Sequence, residues 1–241
     1  MNAHYELAAL LLDKGADPNA NGTGFTALHQ LVWTRNPNRH FNLPAPLPTG
    51  YLDSLDLAKA LIAHGANVNA RVTKEPRDGW RNWMNRIDAT PFILAAKAAG
   101  PALMHLLLDR GADPTLESKD HTTALMAAAG IGFWQGESAG PEHDALEAVK
   151  LTMELGAKVN TANDGGYTAL HGAAVRGANS IVQLLVDKGA QLDAKTKKEG
   201  WTALAIADGV FIANTYKAQP HTAELLRSLM GVTTASKDAQ P

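Results

Sequence analysis

The sequence predicts an all-α solenoid, built from short helix-turn-helix units stacked in one direction and carrying hairpin fingers and long loop insertions. Three observations carry this reading. A Thr-led helix start recurs five times, as Thr26-Ala27-Leu28-His29, Thr90-Pro91-Phe92-Ile93, Thr123-Ala124-Leu125-Met126, Thr168-Ala169-Leu170-His171 and Thr202-Ala203-Leu204-Ala205. A Gly-led stop recurs with it, at Gly15, Gly65, Gly111, Gly156 and Gly189, where a left-handed residue ends a helix at little cost. Thr to Gly is 21 residues from 90 to 111 and from 168 to 189, and Gly to Thr is 12 from 111 to 123 and from 156 to 168, so both anchors share a period of 33.

The stretch from Gly166 to Lys195 shows how one unit works. Ala169, Leu170, Ala173 and Ala174 are small or apolar, so the first helix can lie close to a neighbour. Gly177 breaks it, and Ile181, Leu184 and Leu185 then recur at i, i+3 and i+4, one face of a second helix. Gly189 ends that helix. So small a unit cannot bury both faces of its helices alone and must stack on copies of itself.

In chain order, residues 4–13 (HYELAALLLD) read as the second helix of a truncated unit, 1–21, whose first helix is absent. Leu7, Leu10 and Leu11 are expected to stack on Leu28 and Leu31, leaving their other side uncovered. Solenoid ends usually carry a polar cap, so Met1 is read as the start of a fragment with further repeats upstream. In the next unit, 22–72, Thr26 to Gly65 is 39 residues, 18 more than the regular 21. The extra residues follow Trp33 and include Pro44-Ala45-Pro46-Leu47-Pro48, which favours an extended path. Helix signals resume at Asp53 or Ser54 as N-cap, followed by Leu57, Leu61 and Ile62.

The exit that follows is also long. Residues 73–88 hold Lys74, Arg77, Arg81 and Arg86 with Trp80, Trp83 and Met84, and Pro76-Arg77-Asp78-Gly79 is a turn signal, so an enlarged hairpin finger is expected. Unit 86–118 is regular. Unit 119–163 has 12 extra residues within 131–144, ahead of a helix carrying Leu146, Val149 and Leu151. Unit 164–196 is regular, and unit 197–232 has 8 extra around 210–220 before a last helix from Thr222 to Met230. Residues 1–232 are thus expected to be a single repeat domain, with 233–241 a disordered polar tail.

With TPLH-like helix starts, a 33-residue period and the exit Gly65-Ala66-Asn67-Val68-Asn69-Ala70, the chain resembles an ankyrin-repeat protein over nearly its whole length. The resemblance implies that His29 and His171 hydrogen-bond locally and steady the turn. It also implies protein recognition through a concave face. More narrowly, residues 89–99, 168–190 and 207–230 resemble the C-terminal half of a group of bacterial ankyrin proteins with long loops that are often exported. That likeness points to an exported or periplasmic setting; the residues themselves leave the compartment open.

The enlarged helix-to-helix loops occur in alternate units. Helices pack roughly 8–10 Å apart, so such loops stand about 20 Å apart along one edge, and each can fold over the plain unit beside it. They would form a wall carrying Trp33, Phe41, Tyr51, Phe133, Trp134, Phe211 and Tyr216. The finger at 73–88 makes a second special surface on the opposite edge. Long ordered loops on a rigid scaffold are where function concentrates.

Composition narrows the chemistry. A net charge of −2 gives no general attraction to nucleic acid, and no apolar run reaches the length of a membrane span. With no cysteine, disulfides and thiolate metal sites are excluded. The nine histidines show no metal-type pair on a helix face, and no phosphate-cradling Gly loop or nucleophile elbow is present. No catalytic residue, metal site or cofactor is therefore expected. Asp208 stands out, because equivalent positions hold Val32, Ala96, Ala129 and Ala174. A carboxylate on a packed face needs a partner, either hydrogen bonds from its own loop near Gly209, Asn214 or Thr215, or an acid/base role.

The concave face is read from the frame as Gln30, Trp33, Thr34, Leu94, Lys97, Ala98, Gly172, Val175 and Arg176. Trp33, Lys97 and Arg176, with Trp80, Arg81 and Trp83 of the finger, form the expected protein-binding set, since interface hot spots are rich in Trp and Arg. Trp80 and Trp83 could equally pin the finger to its neighbour. Trp134 and Phe211 are expected to make small cores under their loops. The alternative is a small-molecule or glycan site at Trp134, Asp208, Phe211 and Tyr216.

Overall fold

Thr side chains begin the helices, as their spacing predicts. The computed structural model describes residues 4–35, 50–75, 84–133, 140–212 and 215–231, though not the side chains of Trp33, Thr34 and Thr215. Among the described residues there are eleven helices: α1 Tyr5–Asp13, α2 Ala27–Arg35, α3 Ser54–Ala63, α4 Pro91–Lys97, α5 Pro101–Asp109, α6 Ala124–Ala129, α7 Glu142–Glu154, α8 Ala169–Arg176, α9 Asn179–Asp187, α10 Ala203–Asp208 and α11 Pro220–Leu229. Thr90, Thr123 and Thr202 each accept the N–H of the third residue on (Ile93, Met126, Ala205), satisfying a donor that a helix start leaves open. Asp53 does the same for Asp56 at the start of α3.

The helices form two rows. The first helices pack in sequence, α2 on α4, α4 on α6, α6 on α8 and α8 on α10; the second row runs α1, α3, α5, α7, α9, α11. Cross-packing of α2 with α3, α4 with α5, α6 with α7, α8 with α9 and α10 with α11 closes each unit. The buried core is continuous from Tyr5 to Leu226 and runs along the stack. Alanines such as Ala95, Ala96, Ala128, Ala129, Ala173 and Ala174, all at most 1 % exposed, set the close approach between first helices.

The exit glycines Gly15, Gly65, Gly111, Gly156, Gly189 and Gly231 all take positive φ, from 68° to 92°. A second left-handed position lies two residues before each Thr. Gly24, Gly166 and Gly200 fill it in three units, whereas Asp88 (φ 62°) and His121 (φ 60°) fill it in the other two. Single backbone bonds link successive fingers there: Thr73 N–H to Gly24 O, Lys119 N–H to Ile87 O, Asp164 N–H to Asp120 O and Lys197 N–H to Gly165 O.

Three details depart from the sequence reading. On α1, Tyr5 and Leu12 are buried, while Leu7, Leu10 and Leu11 are about half exposed. The helix packs on α3, so the face toward the core is the one with Tyr5, Ala8 and Leu12. The loop of the last unit contains a two-stranded antiparallel hairpin, β1 (Val210–Ile212) and β2 (Thr215–Lys217), within an otherwise helical fold. The last helix begins at Pro220, ahead of Thr222, because proline is well suited to a first helical turn. The expected tail at 233–241 lies outside the described residues.

Candidate functional site

The described ends of the loops in units 119–163 and 197–232 meet the plain unit between them. A Cβ on Gly172 would stand 2.8 Å from Ile131 N and 3.0 Å from Gly130 C, so helix α8 and the turn after α6 meet backbone to backbone. Ile131 is fully buried by this contact. The same loop reaches the other neighbour at Gly140, where an added Cβ would lie 2.9 Å from Ala98 O. Arg176 fastens it: Nη2 donates to Gly140 O at 2.9 Å, and the guanidinium lies 4.7 Å from the Phe133 ring centre. Burial pushes the Arg176 pKa down to about 10, against the opposing pull of Glu142.

From the other side, the last unit grips the same helix end. Gln219 donates from Nε2 to Val175 O at 3.2 Å, and Thr222 Oγ1 donates to Asn179 Oδ1 at 2.7 Å. The plain fourth unit is therefore held by loops from both neighbours. Leu94, Gly172 and Val175, read from the frame as facing outward, are all buried. Arg176 serves the wall, and Lys97 is half-buried at the last turn of α4.

The hairpin brings Asp208, Phe211 and Tyr216 together. Val210 and Ile212 turn inward, each 8 % exposed, whereas Phe211 is 69 % and Tyr216 57 % exposed. Phe211 thus does not form a core under its loop, because strand alternation gives that task to its neighbours. The two rings pack on each other with centroids 5.4 Å apart. Tyr216 OH donates to Asp208 O at 3.3 Å. The Asp208 carboxylate pairs with Arg227 of α11, a partner outside its own loop, and Asp208 is exposed, not packed. Trp134 lies outside the described residues.

The finger is anchored at its root. Glu75 accepts the Arg86 backbone N–H at 3.1 Å on one oxygen, and Arg86 Nε and Nη2 at 3.0 and 2.9 Å on the other. Val72 N–H donates to Ala89 O and Asp88 N–H to Val72 O, closing the base. Arg71 Nη1 donates to Asp88 O and Glu117 O, both at 2.6 Å, tying this finger to the next. The finger residues Trp80, Arg81 and Trp83, and the Trp33 side chain, lie outside the described residues.

His29 and His171 have the local role that the resemblance implies. His29 Nδ1 accepts Thr26 N–H at 3.1 Å, so its Nε2 carries the proton, facing Ala70 O and Ala89 O at 3.1 and 3.2 Å. His171 repeats this with Thr168 and Trp201 O. Burial pushes the His29 pKa down to about 4 and lowers that of His171.

Sequence reasoning missed the root clamp and a row of asparagines four residues past the exit glycines. Asn19 joins Gly65 O and Asn67 N, Asn69 joins Gly111 O and Asp113 N, and Asn160 joins Gly189 O and Gln191 N, all within 3.1 Å. Their fixed offset from glycine was the available signal. Among the described residues, no group of three or more His, Asp or Glu is placed to hold a metal ion, and no helix is long and apolar enough to cross a membrane.

The family described as ankyrin repeats (three copies) matches residues 139–209. The chain is 33 % identical over 114 residues to NF-kappa-B inhibitor alpha of Sus scrofa, covering 47 % of this chain and 34 % of that protein. It is 31 % identical over 144 residues to ankyrin repeat and KH domain-containing protein mask-1 of Caenorhabditis elegans, covering 58 % of this chain and 5 % of that one. Over 108 residues it is 31 % identical to E3 ubiquitin-protein ligase KEG of Arabidopsis thaliana, covering 45 % of this chain and 6 % of the ligase. The match thus spans about a third or less of each relative.

Proposed function

We propose that this chain, an ankyrin-repeat protein by its repeats and its relatives, is a non-catalytic scaffold that recognises a protein partner through its enlarged finger and the adjoining concave side. The observation that carries this is the Glu75–Arg86 clamp, with Arg86 only 1 % exposed, which fixes the root of the one finger rich in Trp and Arg. Anchoring a protruding segment lowers the ordering cost of binding, and Trp and Arg are the residues most often at interface hot spots. Trp80, Arg81 and Trp83 are the proposed contacts, together with Trp33 and Lys97 of the concave side; Arg176 is assigned to the wall. The similar proteins include one named as an inhibitor of another protein, which agrees with recognition as the activity. The test is affinity capture with the intact chain, with Trp80→Ala and with Trp83→Ala. Loss of a captured protein from both variants supports the reading; unchanged capture sinks it.

A second reading is favoured by the exposed Phe211–Tyr216 pair. An exposed ring face beside the Asp208–Arg227 ion pair offers stacking and polar contacts to a glycan or small ligand. Saturation-transfer NMR with simple sugars tests it: a signal abolished in Phe211→Ala supports this site, and a signal that survives the change places the sugar elsewhere.

A further inference from the structure

Four junctions between exit turns fall within the described residues, and three carry an asparagine rung. In each, the Asn side chain donates to the carbonyl of the next exit glycine and accepts the N–H two residues beyond it. At the fourth, between Gly111 and Gly156, the rung position holds Thr115. That side chain turns back, donating from Oγ1 to Asp113 Oδ1 at 2.6 Å. A threonine hydroxyl is also too short to bridge an acceptor and a donor as a carboxamide does. Among the described residues, Gly156 O and Lys158 N–H, the two groups filled at every other junction, have no protein partner. They border an open groove of about 400 Å³, walled by Thr115, Glu117, Leu125, Leu155 and Lys158. Leu155, the residue after α7, is 39 % exposed there.

We infer that this groove is a recognition site for a primary carboxamide, the side chain of an Asn or Gln presented by an extended segment of a partner polypeptide. The amide NH2 donates to Gly156 O, and the amide oxygen accepts from Lys158 N–H. Leu155 takes an apolar side chain flanking that residue. The missing rung is thus supplied from outside, in the geometry that Asn19, Asn69 and Asn160 supply from within. The site sits on the exit turns and is independent of the finger and the hairpin.

The test uses the 15N-labelled chain and two probes, N-acetyl-asparagine methylamide and its aspartate analogue at neutral pH, which lacks the NH2 donor. The expected result is a saturable shift of the Lys158 amide resonance with the asparagine probe and loss of that shift with the aspartate probe. The Gln191 amide, already held by Asn160, stays still. In Thr115→Asn the new side chain fills the site, so the Lys158 shift disappears and its amide exchanges more slowly with solvent. A Lys158 resonance that does not move with the asparagine probe, or moves equally in Thr115→Asn, overturns the inference.

Discussion

Glu75 and Arg86 are eleven residues apart in sequence and joined at three points, by the Arg86 backbone N–H, Nε and Nη2 at 3.1, 3.0 and 2.9 Å. The guanidinium is 1 % exposed and the carboxylate 38 %, so one side of the pair is desolvated and the other touches water. Truncating the exposed partner removes all three of these contacts from Arg86, whose guanidinium is buried. Glu75→Ala is expected to cost about 2–4 kcal/mol, and Glu75→Gln less because it keeps an acceptor. Urea unfolding of the three proteins checks this; a Glu75→Ala loss within error of zero contradicts the clamp.

Gly172 sits where the wall touches the fourth unit. A methyl there would meet backbone atoms of Gly130 and Ile131, which cannot swing away as a side-chain end could. Gly172→Ala is expected to destabilise by about 1–3 kcal/mol, as overpacked cores do. In a helix, glycine to alanine would otherwise stabilise by about 1 kcal/mol, so the sign alone decides. Thermal unfolding reads it: a raised midpoint means the loop does not lie on α8.

His29 makes stability depend on pH. Its folded pKa is depressed to about 4, below the ordinary 6.5, so between those values the unfolded chain binds a proton that the folded chain refuses. Stability from this group is complete above pH 6.5 and is lost as pH falls toward 4, by about 3 kcal/mol at most. His171 adds in the same direction. His121 runs the opposite way, its pKa raised by the hydrogen bond to Asp164, but both side chains are mostly exposed and the pair adds little. Urea midpoints at neutral and mildly acid pH should fall for the native chain and fall less for His29→Gln. Equal slopes would remove His29 from the account.

Asp88 occupies a left-handed position that glycine fills in three other units. Asp88→Gly is expected to stabilise by up to about 1 kcal/mol, the order of the left-handed cost for a residue with a Cβ. The accepting atom for Arg71 at this position is the backbone carbonyl, which the substitution keeps. Denaturant midpoints measure it, and a lowered midpoint would show that the Asp88 side chain carries a role of its own.

The helix pairs and their order were legible because Thr caps and exit glycines act locally, through backbone groups that every unit must satisfy. The alternation of insertions placed the loops of units 119–163 and 197–232 next to the plain unit between them, and their described ends do touch it. Long-range side-chain choices were not legible. Nothing in the local sequence tells Arg86 from the other cations of its finger, and only the fold puts it beside Glu75. The frame position of Asp208 is packed elsewhere, but here the residue is exposed at the end of α10 and its carboxylate meets Arg227 of α11. Phe211 was placed under its loop by aromatic character alone. A three-residue strand, invisible to helix-based reasoning, sets its direction.

The central claim is that the clamped finger recognises a protein. The most direct measurement replaces 76–83 with Asn-Gly, leaving Glu75 and Arg86 in place, and compares quantitative protein capture with that of the intact chain. The expected result is an unchanged unfolding midpoint together with at least tenfold loss of a captured protein, as removal of an interface hot spot worth about 1.4 kcal/mol or more would give. An unchanged midpoint with an unchanged set of captured proteins would contradict it.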